Sequence, residues 1–353
     1  MKIIVQKEQI LNNYRLLKEK AGVPVIPVLK ANGYGLGAEG LFEILKEEAS
    51  LMAVSRLEEA LPLCGRGVEI LVLSCYDSEE FARMALEREL TVAVGSLAFA
   101  KRLSSMAEKA VRIHVKVDTG MGRFGFLPHQ IEEMAEVFTL PNLEVTGIFS
   151  HLSASFLRDG SAEAQLKRFD GVVSALQERG IEIPMRHIAN TSAAFREGFA
   201  LDAVRIGSAL TGRSPVKLDL PLQRSGRVEA EILSVRTLPA GSNLGYGNVC
   251  RLKKETAVAV VAAGTADGFA PGERHDLYRF ADICRYLFHD LKLFVKKPTV
   301  YGRIGEQRAV MLGRPATTHS FFDVTGLDCK AGDKMILDAA PLKVNAAVER
   351  IYE

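Results

Sequence analysis

The stretch Val25-Ile26-Pro27-Val28-Leu29-Lys30-Ala31-Asn32-Gly33-Tyr34-Gly35-Leu36-Gly37 decides the reading of this chain. Its apolar run, Val25 to Leu29, has the composition of a buried strand. The run ends on a lysine, a Gly-rich turn follows, and a helical pattern begins near Leu41. This is one strand–turn–helix unit. A lysine at the end of a buried strand costs free energy unless it is paired or neutral. Taken alone, it is a lysine that snorkels out of the sheet.

Moving outward, the same unit recurs. Apolar runs at Pro27–Leu29, Leu51–Val54, Glu69–Leu73, Leu90–Val94, Val111–Val117, Leu143–Phe149, Met185–Ile188 and Leu201–Arg205 alternate with helical spacing. The helical segments are Leu41–Glu48, Arg56–Leu63, Ser78–Glu87, Leu97–Lys109, Gln130–Phe138, Ala162–Arg179 and Thr191–Arg196. Eight such βα units predict a TIM (β/α)8 barrel over residues 1–222 rather than a doubly wound open sheet. Past Leu222 the rhythm changes. Arg227–Arg236, Ala257–Ala262, Val300–Arg303, Ala309–Leu312, Phe321–Val324 and Met335–Leu337 read as strands punctuated by Gly and Pro turns. Residues 223–353 are therefore expected to form a mostly-β domain. A helical insertion near 276–294 is expected to lie over it.

The 353 residues exceed one ordinary core, and a net charge of +2 gives no electrostatic reason to propose nucleic acid or an acidic membrane. The five cysteines are scattered and form no Cys-x-x-Cys pair, so neither a metal site nor a disulfide framework is expected. The opening residues carry no signal-peptide pattern, and no apolar run reaches spanning length. A cytoplasmic protein is the simplest fit.

In a TIM barrel, reactive groups come from strand ends and the loops after them. Lys30 ends the first strand. The fifth strand leads through Lys116 into Asp118-Thr119-Gly120-Met121-Gly122-Arg123-Phe124-Gly125. His151 follows the sixth, Asn190 and Thr191 the seventh, and Arg205-Ile206-Gly207-Ser208 the eighth. For each there is a plain structural alternative: a Gly-rich turn, a helix N-cap at Thr191, a satisfied histidine in the barrel mouth.

Together these segments resemble the alanine racemase family, which uses pyridoxal 5'-phosphate (PLP). The resemblance runs from Val5 to Ile351. It includes Gly147-Ile148-Phe149-Ser150-His151, His187-Ile188-Ala189-Asn190-Thr191, Gly245-Tyr246-Gly247 and Ala266-Asp267-Gly268, with a weaker match at Leu312-Gly313-Arg314. It implies a covalent link between Lys30 and PLP. Gly207, Ser208, Thr191 and Tyr34 would hold the phosphate. Arg205 would face the pyridine nitrogen, with His151 orienting it. Arg123 would meet the substrate carboxylate, and Lys116 is a candidate for carbamylation. Lys30 and Tyr246 would serve opposite faces of the α-carbon, Tyr246 coming from a second subunit of a head-to-tail homodimer.

The chain also departs from the family pattern. Gly264-Thr265-Ala266-Asp267-Gly268 stands where the family has Gly-Tyr-Ala-Asp-Gly. A second gate tyrosine is replaced by Ala346, beside Asn345, and a Met-Asp pair by Thr317-Thr318, the expected substrate-binding pair. Alanine is the expected substrate, with serine or a longer, basic amino acid as the alternative. A decarboxylase is disfavoured because an arginine, not a carboxylate, would face the ring nitrogen. A PLP-binding protein without turnover is the remaining alternative.

Overall fold

The computed structural model describes residues 1–245, 249–270, 280–293 and 299–353. The chain forms two compact units, Gln6–Ser225 and Met1–Val5 with Gly226–Glu353. The short opening strand β1 (Lys2–Val5) thus leaves the barrel to which residues 1–222 were assigned. Its physical reason is pairing: it runs antiparallel to Arg227–Glu229 and parallel to Glu349–Tyr352.

In the first unit, parallel strands follow in chain order: β2 (Val25–Pro27), β3 (Leu51–Val54), β4 (Glu69–Val72), β5 (Thr91–Val94), β6 (Val111–Lys116), β7 (Leu143–Phe149), β8 (Arg186–His187) and β9 (Val204–Ile206). β3 to β8 pair in sequence, and β2 pairs with β9. A parallel bridge between Val28 and Ala53 joins β2 to β3. The Asp202 and Arg205 N–H groups donate to the Arg186 and Ala189 carbonyls, which joins β8 to β9. Eight parallel strands therefore close a barrel, as the repeated βα rhythm predicts. Ala53, Leu71, Ala93, Ile113 and Val115 are fully buried, which explains why the strands read as unbroken apolar runs.

The helices between strands have local causes. Ser78 and Ser96 cap theirs by accepting from the N–H of Phe81 and Phe99, each at 3.2 Å. The expected helix at Thr191–Arg196 is instead a run of turns. Asn190 caps a single turn there. Its side-chain oxygen accepts from the Ser192 N–H at 3.1 Å and its carbonyl from Ala193 and Ala194.

The second unit adds β10 (Gly226–Leu238), β11 (Asn243–Leu244), β12 (Cys250–Arg251), β13 (Thr256–Val261), β14 (Tyr301–Ile304), β15 (Gln307–Leu312), β16 (Ser320–Asp323), β17 (Lys334–Leu337) and β18 (Glu349–Tyr352). The long β10 bends at a bulge between Ile232 and Ser234 and pairs with β17 before it and β13 after it. The circuit β10-β13-β16-β15-β14-β17 closes antiparallel on itself. The helical insertion contains a helix, Phe280–Leu293. Its Phe280, Ile283, Leu287, Phe288 and Leu291 are exposed, so these side chains do not form the packed cover expected of it. Residues 276–279 and 294 of the insertion lie outside the described residues.

Candidate active site

Lys30 sits where β2 hands over to a turn of unusual backbone. Ala31, Asn32, Gly33 and Tyr34 all take positive φ, at 52, 52, 61 and 54°. A left-handed conformation costs a non-glycine residue roughly 1–2 kcal/mol. Local hydrogen bonds hold it. The Gly33 N–H donates to Leu29 at 2.8 Å, and the Asn32 side chain accepts from the Ala38 N–H at 2.9 Å. Glu59, from the start of the helix after β3, accepts from the N–H groups of Ala31, Ser55 and Arg56 at 2.7, 2.9 and 3.1 Å. The Lys30 amine makes no hydrogen bond or ion pair among the described residues. Burial, with Arg123 and Arg205, holds it below the ordinary lysine value, and Glu59 pulls the other way.

The tight turn folds Tyr34 back against the end of β9. A Cβ added to Gly207 would lie 2.3 Å from the Tyr34 hydroxyl, so with the phenol where it stands only glycine leaves it room. The Gly207 N–H reaches Thr191 Oγ1 at a long 3.4 Å. The Tyr34 hydroxyl has no hydrogen-bond partner among the described residues, and burial then Glu59 push its pKa up to about 12. Lys30, Tyr34, His151, Asn190, Thr191, Arg205, Gly207 and Ser208 line a cavity of about 160 Å³, with Val28, Leu73, Ser192 and Pro215. The hydroxyls and N–H of this set can receive a phosphate, the amine can attack a carbonyl, and the guanidinium can donate to a ring nitrogen.

Arg205 is 3% exposed and has no ion pair among the described residues. Neutral acceptors surround it. Nη1 donates to His187 Nδ1 at 2.6 Å and to the His187 carbonyl at 3.0 Å. Nη2 donates to the carbonyls of Ser150 at 2.7 Å and Ile188 at 3.2 Å. His151 Nδ1 lies 3.5 Å from Nη2, at the outer limit of a hydrogen bond. The group that orients Arg205 most closely is thus His187 rather than the expected His151. Burial lowers the guanidinium to about 9, still charged at neutral pH, and no described contact uses its Nε. Burial, then Arg205, lowers His151 to about 3.

Arg123 lies on the loop after β6, which is wound around one carboxylate. Asp118 Oδ1 accepts from the N–H groups of Gly120, Met121 and Gly122 at 2.8–3.1 Å, and Oδ2 from Arg123 at 2.9 Å. Burial pushes Asp118 up, but the four donors outweigh it and hold the carboxyl below its ordinary value. Gly125 closes the loop at φ 120°, where a Cβ would meet the Lys116 carbonyl at 2.8 Å. Lys116 itself is buried, donates to the Leu73 carbonyl at 2.8 Å, and is lowered to about 8 by burial, with Arg123 and Arg205 adding to it and Cys75 opposing.

Thr317 and Thr318 belong to the other unit, between β15 and β16. The Thr317 carbonyl accepts from Ala266, and Thr318 Oγ1 meets His319 Nδ1 at 2.9 Å. Tyr246 lies outside the described residues. Glu59 and the bond from Arg205 to His187 were missed by sequence reasoning. His187 was visible as part of a motif, but Glu59 belongs to no motif near Lys30.

The alanine racemase N-terminal domain profile matches residues 5–215, and the C-terminal domain profile matches residues 226–351. The chain belongs to the alanine racemase family. It is 31% identical to the alanine racemase of Clostridium tetani over 99% of this chain and 87% of that one. It is 34% identical to alanine racemase 2 of Caldanaerobacter subterraneus subsp. tengcongensis over 76% of this chain and 72% of that one. The alanine racemase structure from Clostridium difficile 630 superposes with a TM-score of 0.87 over 100% of this chain and 95% of that chain, at 22% identity, a likeness of fold. Alanine racemase family members are PLP-dependent isomerases, and this chain is accordingly a PLP-dependent amino-acid racemase. No described helix is long and apolar enough to cross a membrane.

Proposed function

We propose that this chain interconverts L- and D-alanine, with PLP held in the Lys30 cavity. The observation that carries the reading is the convergence there of three donors without hydrogen-bond acceptors among the described residues: the Lys30 amine, the Tyr34 hydroxyl and Arg205 Nε. Their chemistry suits PLP at its aldehyde carbon, its phosphate and its ring nitrogen. Gly207, Ser208 and Thr191 complete the phosphate end. Bound PLP supplies the electron sink that weakens the substrate's α-C–H bond.

The protein's own groups then divide the work. Burial, with Arg123, lowers the Lys30 amine below an ordinary lysine and so favours its free base, and Lys30 takes or returns a proton on one face. The partner subunit's Tyr246, in a head-to-tail homodimer, serves the opposite face. Arg205 can only donate, which leaves the nitrogen opposite it unprotonated and limits how far charge is drawn from the substrate. Prompt return of the proton is then favoured over loss of carboxylate. Arg123 meets the substrate carboxylate, and Thr317 and Thr318 contribute to its binding. Lys116 takes up carbon dioxide as a carbamate. An amine lowered to about 8 has a larger free-base fraction than an ordinary lysine, which is the nucleophile this needs, and the nearby cations favour the resulting anion.

Single enantiomers of alanine, followed by chiral chromatography, test the reading. Racemisation is expected from either enantiomer and should vanish in Lys30→Ala. In single turnovers with deuterated alanine, Tyr246→Phe should block exchange from one enantiomer only. Equal loss from both would contradict the assignment of two faces.

A further inference from the structure

A histidine one shell further in has a niche built for it. β6 and β7 pair as Ile113 with Val145 and then His114 with Gly147, so Thr146 is bulged out of register. The Thr146 hydroxyl donates back to the Ile113 carbonyl at 3.4 Å. A Cβ on Gly147 would lie 2.8 Å from the His114 ring. A bulge and a glycine together therefore make room for an imidazole that is 1% exposed. Its Nδ1 lies 2.8 Å from Nε2 of His187, which is fully buried and stacked on Phe149 with ring centroids 4.9 Å apart.

The protons on this chain follow from one fact. A guanidinium donates and cannot accept. His187 Nδ1, 2.6 Å from Arg205 Nη1, must therefore be unprotonated. A neutral His187 carries its proton on Nε2 and donates it to His114 Nδ1, which must be bare as well. His114 is then also the Nε2–H tautomer. Burial, and then Arg205, lower both imidazoles, in keeping with two neutral rings.

We propose that His114 is a positioning residue: by accepting from His187 Nε2–H it fixes the tautomer that turns the His187 Nδ1 lone pair onto Arg205, and so sets the orientation of the guanidinium. This role rests on the reading in which Arg205 faces the PLP nitrogen. His114 acts through two other side chains and touches no ligand.

The test uses the PLP-loaded full chain labelled with 15N-histidine. The chain has seven histidines, and His114→Asn, which lacks one ring, assigns the pair. Both His114 and His187 are expected to show a bare Nδ1 and a protonated Nε2. A ring protonated on both nitrogens, or on Nδ1 alone, overturns the proposal. Kinetics supply a second readout. His114→Phe leaves the His187 Nε2–H without an acceptor and should lower kcat about tenfold with KM within about twofold. His114→Asn places an amide oxygen near the Nδ1 position and should recover to within about threefold of wild type. His114→Asn falling as far as His114→Phe, or both keeping full kcat, overturns the role. Should His114→Phe not fold, the wild-type spectrum and His114→Asn decide. A wild-type protein that takes up no PLP overturns the underlying reading first, whereas a loaded, active enzyme with the wrong tautomers overturns this proposal alone.

Discussion

Gly207 shows how little room the site leaves at the scale of one residue. The Tyr34 phenol occupies the space a methyl would need, 2.3 Å from its hydroxyl. Gly207→Ala should push Tyr34 out of the cavity and weaken PLP binding at least tenfold, read from absorbance on titration with the cofactor. Affinity equal to wild type would show that the phenol is not needed where it stands. Lys30, Arg205 and the Gly207-Ser208 pair, which line one cavity, were legible in the sequence as candidates because each sits at a strand end inside a local motif. Glu59 was not. It caps the Lys30 turn from the next βα unit, across 28 residues of sequence, and no local pattern announces such a contact. His151 was given the task that His187 performs more closely, because sequence places both near the barrel mouth and cannot rank 2.6 against 3.5 Å.

At the scale of the element, the loop after β6 depends on Asp118. One carboxylate satisfies four N–H groups and sets the path of the backbone that carries Arg123. Asp118→Ala should free that loop, raising KM for alanine about tenfold while changing the melting temperature much less, since the loop is mostly exposed. Wild-type KM would mean that Arg123 finds its place without the carboxylate. The barrel strands were legible as apolar runs because parallel strands are buried on both faces. Two elements escaped. β1 is four residues long and finds its partners more than two hundred residues away. The Thr191–Arg196 segment has apolar residues at helical spacing and Asn190 caps its first turn, yet the next bond tightens to Arg196 N–H on the Ala193 carbonyl and the segment remains a run of turns.

Across the whole molecule, the buried histidines bear on stability against acid. Burial, then Arg205, lower His114 from its ordinary 6.5 to about 3, and His187 moves the same way. Between those pH values the unfolded chain binds more protons than the folded one. Stability contributed by the pair is therefore whole above about pH 6.5 and is lost as pH falls toward 3, by at most ~1.4 kcal/mol per pH unit for each ring. Thermal melting at pH 7 and pH 5 should show a clear drop, and a flat profile would mean the rings are not neutral and buried together. The central claim, though, is that one cavity built on Lys30 moves the α-proton of alanine. Its most direct test is to incubate PLP-loaded protein with L-alanine in deuterated water and follow both enantiomers. The account predicts α-deuterated D-alanine, rising until the two enantiomers are equal. Bound cofactor with no D-alanine and no deuterium at the α-carbon would contradict it.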